Sequence, residues 1–114
     1  MTKEELFDEL IRLKYLRTPL LIEAFQAIDR KDFVVDDLRQ DAYFNAPLPI
    51  GYGQTISQPL TVAFMLELLA PQPGQKILDV GSGSGWTTTL LSYIAAKKEG
   101  GRVFAIERIP ELKV

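Results

Sequence analysis

The chain has 114 residues, of which 46% are hydrophobic and 25% charged, so it can bury one ordinary globular core and no more. Its formal net charge of −2 gives no electrostatic reason to expect nucleic acid or an anionic membrane as a partner. With neither cysteine nor histidine, it can form no disulfide, no thiolate or imidazole metal site, and no Ser-His or Cys-His nucleophilic machinery.

Taken from the N-terminus, Thr2 and Glu5 form a capping box that opens an amphipathic helix with Leu6, Leu10 and Leu13 on one stripe. The acidic start, Met1–Glu5, is unlike a secretory signal, and no apolar run approaches the ~20 residues needed to span a bilayer. Lack of cysteine suits a reducing cytoplasm, which is the expected location. Thr18-Pro19 starts a second helix carrying Leu21, Phe25 and Ile28. Asp29-Arg30-Lys31-Asp32 reads as a solvated turn, and a short helix is expected over Asp36–Ala42.

Residues 45–59 hold three prolines and two glycines, which fix the backbone without regular structure. Loops this long inside compact domains are uncommon and are more often functional than decorative. Ser57 precedes an apolar helical run through Val62, Met65, Leu66 and Leu69. Its hydroxyl is placed either to cap that helix or to touch a substrate.

Pro71–Gly74 turns the chain into a strand at Lys76–Val80, and Asp79-Val80-Gly81-Ser82-Gly83-Ser84-Gly85 follows as a glycine loop. Trp86–Ala96 reads as a helix with Leu90, Leu91 and Ile94 inward. Glu99-Gly100-Gly101 closes it, and Arg102–Glu107 forms the next strand. Strand, glycine loop, helix, strand and terminal carboxylate make the first half of a nucleotide-binding α/β unit.

The glycines fall at every second position, unlike the nicotinamide fingerprint, and Trp86-Thr87 stands where a P-loop requires Lys-Ser or Lys-Thr. Asp79 at the loop mouth would repel a pyrophosphate but attract an ammonium group. Glu107, at the carboxyl end of its strand, can accept hydrogen bonds from two ribose hydroxyls. A cofactor with a ribose, an ammonium and no phosphate satisfies both, and S-adenosylmethionine is one. The simpler reading, a tight packing turn with a solvated strand end, remains open. Trp86 likewise either covers the cofactor or packs in the core.

Pro47-Leu48-Pro49-Ile50-Gly51-Tyr52-Gly53-Gln54-Thr55-Ile56-Ser57-Gln58-Pro59 resembles the characteristic loop of protein-L-isoaspartate O-methyltransferases. The similarity extends to Ala24-Phe25, Arg30–Val34, Ala42-Tyr43, Met65–Leu69 and Ile106–Leu112, so it is collinear over nearly the whole chain. The resemblance implies methyl transfer from S-adenosylmethionine to the α-carboxyl of L-isoaspartyl residues in damaged proteins or peptides. That carboxylate is already ionised at neutral pH and needs no general base, as a histidine-free chain demands. By position, Ser57 would orient the isoaspartyl carboxylate. Thr55 and Ile56 would lie along the cofactor, Asp79, Gly81, Ser82, Gly83 and Gly85 would hold its methionine side, and Glu107 would hold the ribose. Leu60 stands where some relatives have histidine or an aromatic residue, so a hydrogen bond made there by the side chain is lost.

The fold implied is a Rossmann-like, S-adenosylmethionine-dependent α/β methyltransferase fold. Residues 1–59 would form a helical subdomain with the substrate loop, and 60–114 the first half of the cofactor domain. With Val114 only seven residues after Glu107, the fold is expected to be cut after the second strand. Two parallel strands with bare edges are expected to be poorly stable unless a second chain completes the sheet. Two other readings stay open: the same scaffold acting on another substrate, and a fragment that binds cofactor or partners without turnover.

Overall fold

The computed structural model describes residues 1–112. Helix α1 (Lys3–Arg12) begins at the expected capping box: the Thr2 hydroxyl accepts from the Glu5 N–H, and the Glu5 carboxylate accepts from the Thr2 N–H. Leu6 and Leu10 are buried, whereas Leu13 is the C-cap and is exposed, because the helix ends at Arg12, one residue before the stripe does. Helix α2 (Pro19–Ala27) buries Leu21, Ala24 and Phe25. The segment leading into it is held from a distance, since the Glu67 carboxylate accepts from the Arg17 and Thr18 N–H groups and from the Thr18 hydroxyl.

Short 3-10 helices follow at Arg30–Phe33 and Asp36–Asp41. The first corrects the solvated-turn reading. Asp29 caps it and also accepts the single Tyr43 hydroxyl proton, shared between its two oxygens at 2.8 and 3.0 Å, while Arg30 turns inward and is only 3% exposed. Burial, reinforced by the Asp29 carboxylate, pushes the Tyr43 phenol up to about 12.

The proline- and glycine-rich segment is also more regular than expected. Strands β1 (Leu48–Gly51) and β2 (Gln54–Ile56) pair antiparallel, with Leu48 opposite Ile56 and Pro49 opposite Thr55. Tyr52 and Gly53 form the two-residue turn, both with positive φ (56° and 71°), the pattern that a tight hairpin matching strand twist requires. The prolines do not prevent pairing, because a two-stranded ribbon leaves each strand one free edge. Leu48, Ile50 and Ile56 fasten the hairpin to the core.

Helix α3 (Pro59–Leu69) buries Val62, Ala63 and Leu66, leaving Met65 and Leu69 on the exposed side of the expected apolar run. Strand β3 (Lys76–Val80), helix α4 (Trp86–Ala95) and strand β4 (Arg102–Ile106) form a βαβ unit, with β3 and β4 parallel from Lys76 opposite Arg102 to Val80 opposite Ile106. A last 3-10 turn covers Pro110–Leu112.

One hydrophobic cluster runs from Leu6 and Phe25 through Ile50 and Ile56 to Leu90 and Ile94, so helices, hairpin and βαβ unit share a core. The other sheet face is bare: Leu78, Val80, Phe104 and Ile106 are each more than half exposed. Among the described residues no helix is long and apolar enough to cross a membrane.

Candidate functional site

The carboxyl end of β3, the start of α4 and the last residues of β2 meet around a cavity of about 220 Å³. Thr55, Ile56 and Ser57 form one wall. Asp79, Gly81, Ser82, Gly83 and Ser84 form the other, with Thr87 from the first turn of α4. Gly85 lines an adjoining cavity of about 400 Å³ with Phe33, Thr88 and Thr89, which shares Ser82, Gly83 and Ser84 with the first. Seven of the nine expected site residues therefore share one cavity. Gly85 and Glu107 do not line it.

The loop owes its shape to glycine. Gly81, Gly83 and Gly85 have φ of 73°, 55° and 86°, in the left-handed region that side chains with a Cβ rarely adopt. Space is not the constraint, since a Cβ at Gly81 or Gly85 would meet nothing within 4 Å. The loop amides are largely engaged within the protein. Gly81 and Ser82 donate to the Ile106 carbonyl at 2.7 and 3.1 Å, Gly85 to that of Ser82 at 2.9 Å, and Gly83 to Glu107 Oε1 at 2.7 Å. A loop with four N–H groups turned inward is no ready phosphate cradle, which agrees with the charge argument at Asp79.

Asp79 accepts through Oδ2 from the Thr88 hydroxyl, which orients the carboxylate and leaves Oδ1 without a partner among the described residues. Thr88 was not singled out in the sequence, although three consecutive threonines, Thr87–Thr89, at a helix start were its signal. Thr89 instead bonds back to the Gly85 carbonyl at 2.8 Å.

Ser57 is exposed, and the structure corrects its capping role. The N-cap of α3 is Gln58, with no side-chain cap of its own. Asn45, fifteen residues before Leu60, reaches in from the preceding loop and accepts the Leu60 N–H on Oδ1 at 2.9 Å, while its carbonyl accepts from Gln58 Nε2. The Ser57 hydroxyl is thereby released from the helix and opens onto the cavity. It also borders a second, smaller cavity of about 170 Å³ with Thr61, Val62 and Met65. Leu60 packs its side chain against the core rim. Trp86 lines none of these cavities: it is 3% exposed and meets Phe25 edge-to-face at 5.7 Å, so its place is core packing.

Glu107 follows β4 immediately, and each of its oxygens accepts one backbone N–H, from Gly83 at 2.7 Å and from Ile109 at 2.9 Å. Those bonds, Ile109 first and Gly83 second, hold its carboxyl below 4.5, its ordinary value. The expected ribose acceptor is thus also a brace across the glycine loop. A depressed carboxyl adds stability that is complete above its unfolded pKa and is lost as pH falls through the folded one. A Glu107→Gln variant should therefore melt below the parent near neutral pH, and the gap should close as pH drops under 4.5. Melting temperatures of both proteins from pH 7 to 3 check this, and a gap that stays constant over that range contradicts it.

Among the described residues no group of three or more acidic side chains is placed to hold a metal ion. The family model described as protein-L-isoaspartate(D-aspartate) O-methyltransferase matches residues 1–114. Proteins named protein-L-isoaspartate O-methyltransferase from Methanopyrus kandleri and Aeropyrum pernix are 48% and 49% identical over 96% and 92% of this chain. These alignments cover only 48% and 40% of the two relatives, so the chain spans about half their length or less. A crystal structure from Plasmodium falciparum, described as a protein-L-isoaspartate O-methyltransferase in complex with S-adenosyl-L-homocysteine, superposes with a TM-score of 0.85 at 26% identity. It covers 98% of this chain and 51% of its own. Another structure of that name, at 23% identity and a TM-score of 0.81, shows the same fold. Matched by that family model along its whole length, the chain belongs to the protein-L-isoaspartate(D-aspartate) O-methyltransferase family.

Proposed function

We propose that this chain carries the catalytic half-site of a repair methyltransferase, which moves a methyl group from S-adenosylmethionine to the α-carboxylate of an L-isoaspartyl residue. The observation that carries this reading is the 220 Å³ cavity, where a free serine hydroxyl faces a glycine loop and a carboxylate. The Plasmodium relative, solved with S-adenosyl-L-homocysteine, supports the choice of cofactor.

The residues fit that group. Asp79, oriented by Thr88 with one oxygen spare, suits the ammonium of the methionine moiety. Gly81, Ser82 and Gly83, with Thr55 and Ile56 opposite, bound the space beside it. Gly85 sets the loop's last turn, and Glu107 stands at the strand end for the ribose, its remaining lone pairs available beyond the two N–H bonds. When bound, S-adenosylmethionine supplies a sulfonium-activated methyl group. Ser57 donates its hydroxyl proton as a hydrogen bond to one substrate carboxylate oxygen and leaves the other to attack. The new bond is carbon to carboxylate oxygen, the broken one carbon to sulfur, and the electron pair stays on sulfur. No proton has to move, so alignment and exclusion of water are the protein's contribution.

In this reading, residues 1–59 present the substrate loop and 60–114 hold the cofactor, although the two share a core; residues 113 and 114 lie outside those described. The proposed compartment is the cytoplasm, on the absence of cysteine. A second reading, a half that binds cofactor and turns over only with a partner chain, is favoured by the bare apolar sheet face at Leu78, Val80, Phe104 and Ile106.

Transfer of labelled methyl groups to an isoaspartyl peptide, with the matching aspartyl peptide as control, tests both readings. Selective labelling is the expected result. S-adenosylmethionine binding without labelling favours the second reading, and equal labelling of both peptides removes the substrate assignment.

A further inference from the structure

Arg30 is the one charged residue that is buried among those described, and it has no carboxylate partner there. Its guanidinium donates four hydrogen bonds to four backbone carbonyls. Nη1 reaches Ala42 at 2.8 Å and Phe44 at 3.1 Å, and Nη2 reaches Ala46 at 2.8 Å and Ser57 at 3.0 Å. Nη2 therefore ties together the two feet of the β1–β2 hairpin, Ala46 before it and Ser57 after it. The same guanidinium stands 5.4 Å from the centre of the Trp86 ring, the first residue of α4 and the neighbour of Gly85.

A buried cation is retained at this cost only where its surroundings replace water; four carbonyls do so for Nη1 and Nη2 and an aromatic face lies beside them, while the buried Nε has no partner among the described residues. Burial pushes the guanidinium down to about 10, so it remains charged at neutral pH. Lysine could not substitute. An ammonium has three donors on one atom and cannot span two carbonyl pairs or lie flat on an indole.

We propose that Arg30 is the positioning residue of the transfer site, clamping the backbone of Ser57 to the helix that follows the glycine loop. The Ser57 hydroxyl is free of helix capping, so its location depends on its own backbone, and that backbone is held by Nη2. This inference rests on the proposed function for its kinetic consequence but not for its structural one.

The test compares the full chain with Arg30→Lys and, as a second variant with a similar stem and no donors, Arg30→Met. Amide hydrogen exchange is the first readout. Exchange in residues 46–57 should quicken by about tenfold or more, with α1, α2, β3 and β4 near the parent rate. Fluorescence is the second: Trp86 is the sole tryptophan, and loss of the guanidinium from its face should shift its emission. The third is kinetic. With an isoaspartyl peptide, kcat should fall by about tenfold or more, while affinity for S-adenosylhomocysteine changes by less than about threefold.

Hairpin exchange equal to the parent, or exchange quickened uniformly, would overturn the proposal by reducing Arg30 to an ordinary core support. A parent that transfers no methyl group would count against the proposed function alone, since exchange and emission still decide the clamp.

Discussion

Replacing Ser57 by alanine should lower methyl transfer to an isoaspartyl peptide by about a hundredfold while leaving the melting temperature within about 2 °C of the parent. The separation of the two effects is the informative part. A serine that caps a helix contributes about 1 kcal/mol through its hydroxyl, and its loss would show as a drop of several degrees in a domain this size. Here the Leu60 N–H at the α3 terminus is taken by Asn45, so removing the Ser57 hydroxyl frees no backbone N–H. Its exposure on the cavity wall means that no packing is lost either. What is lost, on the proposed function, is the donor that selects which carboxylate oxygen faces the methyl group. Single-turnover rates and thermal melts of the two proteins measure the pair of effects. A variant that keeps its rate removes Ser57 from the site, and one that loses rate and stability together returns it to a structural role.

The largest expected loss of stability lies away from the cavity. Gly101→Ala should destabilise the protein by about 3 kcal/mol or more and lower its melting temperature by at least about 10 °C. A Cβ at Gly101 would lie 1.8 Å from the Ala95 carbonyl oxygen and 2.9 Å from the Cα of Gly74. Both neighbours are backbone, so no rotamer change relieves the clash. The same Ala95 carbonyl accepts the Gly74 N–H at 2.9 Å, and one residue on, the Arg102 N–H donates to Gln75 at 2.9 Å. The turn into β3, the end of α4 and the turn into β4 thus cross at one point, and that crossing sets the register in which Lys76 meets Arg102. Gly100→Ala is the natural comparison. Nothing lies within 4 Å of its added Cβ, and only its φ of 89° is unfavourable, so the expected cost is about 1–2 kcal/mol. Denaturant melts of the two variants against the parent test the order. Equal losses would mean that the crossing relaxes freely.

The two glycines are alike in local sequence but not in tertiary surroundings. Both stood in the Glu99-Gly100-Gly101 helix stop, and local rules treat them alike. One is needed for its own dihedral angle, the other for what passes above it. The site divides in a similar way. Asp79, the alternating glycines and the carboxylate after the second strand were legible because spacing along a strand-loop-helix unit is local geometry. Glu107 was legible as a strand-end acceptor but not as the brace of Gly83, which depends on how the loop folds back over β4.

The hairpin was misread because prolines and glycines signal irregular backbone, whereas pairing of Leu48 with Ile56 depends on where those side chains are buried. Arg30 was misread because it lies among Asp29, Lys31 and Asp32, a run whose composition indicates solvent. Its burial follows from four carbonyls contributed by residues 12 to 27 positions later.

The sequence alone determined the helix starts set by Thr2 and Pro19, the βαβ order and the family. Each of these is written in neighbours within a few turns of the chain or in a motif of fixed spacing. The tertiary structure decided that Asn45 rather than Ser57 caps α3, that Thr88 orients Asp79, and that Arg30 joins the feet of the hairpin. Each of those is a polar group whose partner arrives from another segment. Hydrogen bonds of that kind are chosen only when the hydrophobic core brings the segments together and removes water as the competing partner.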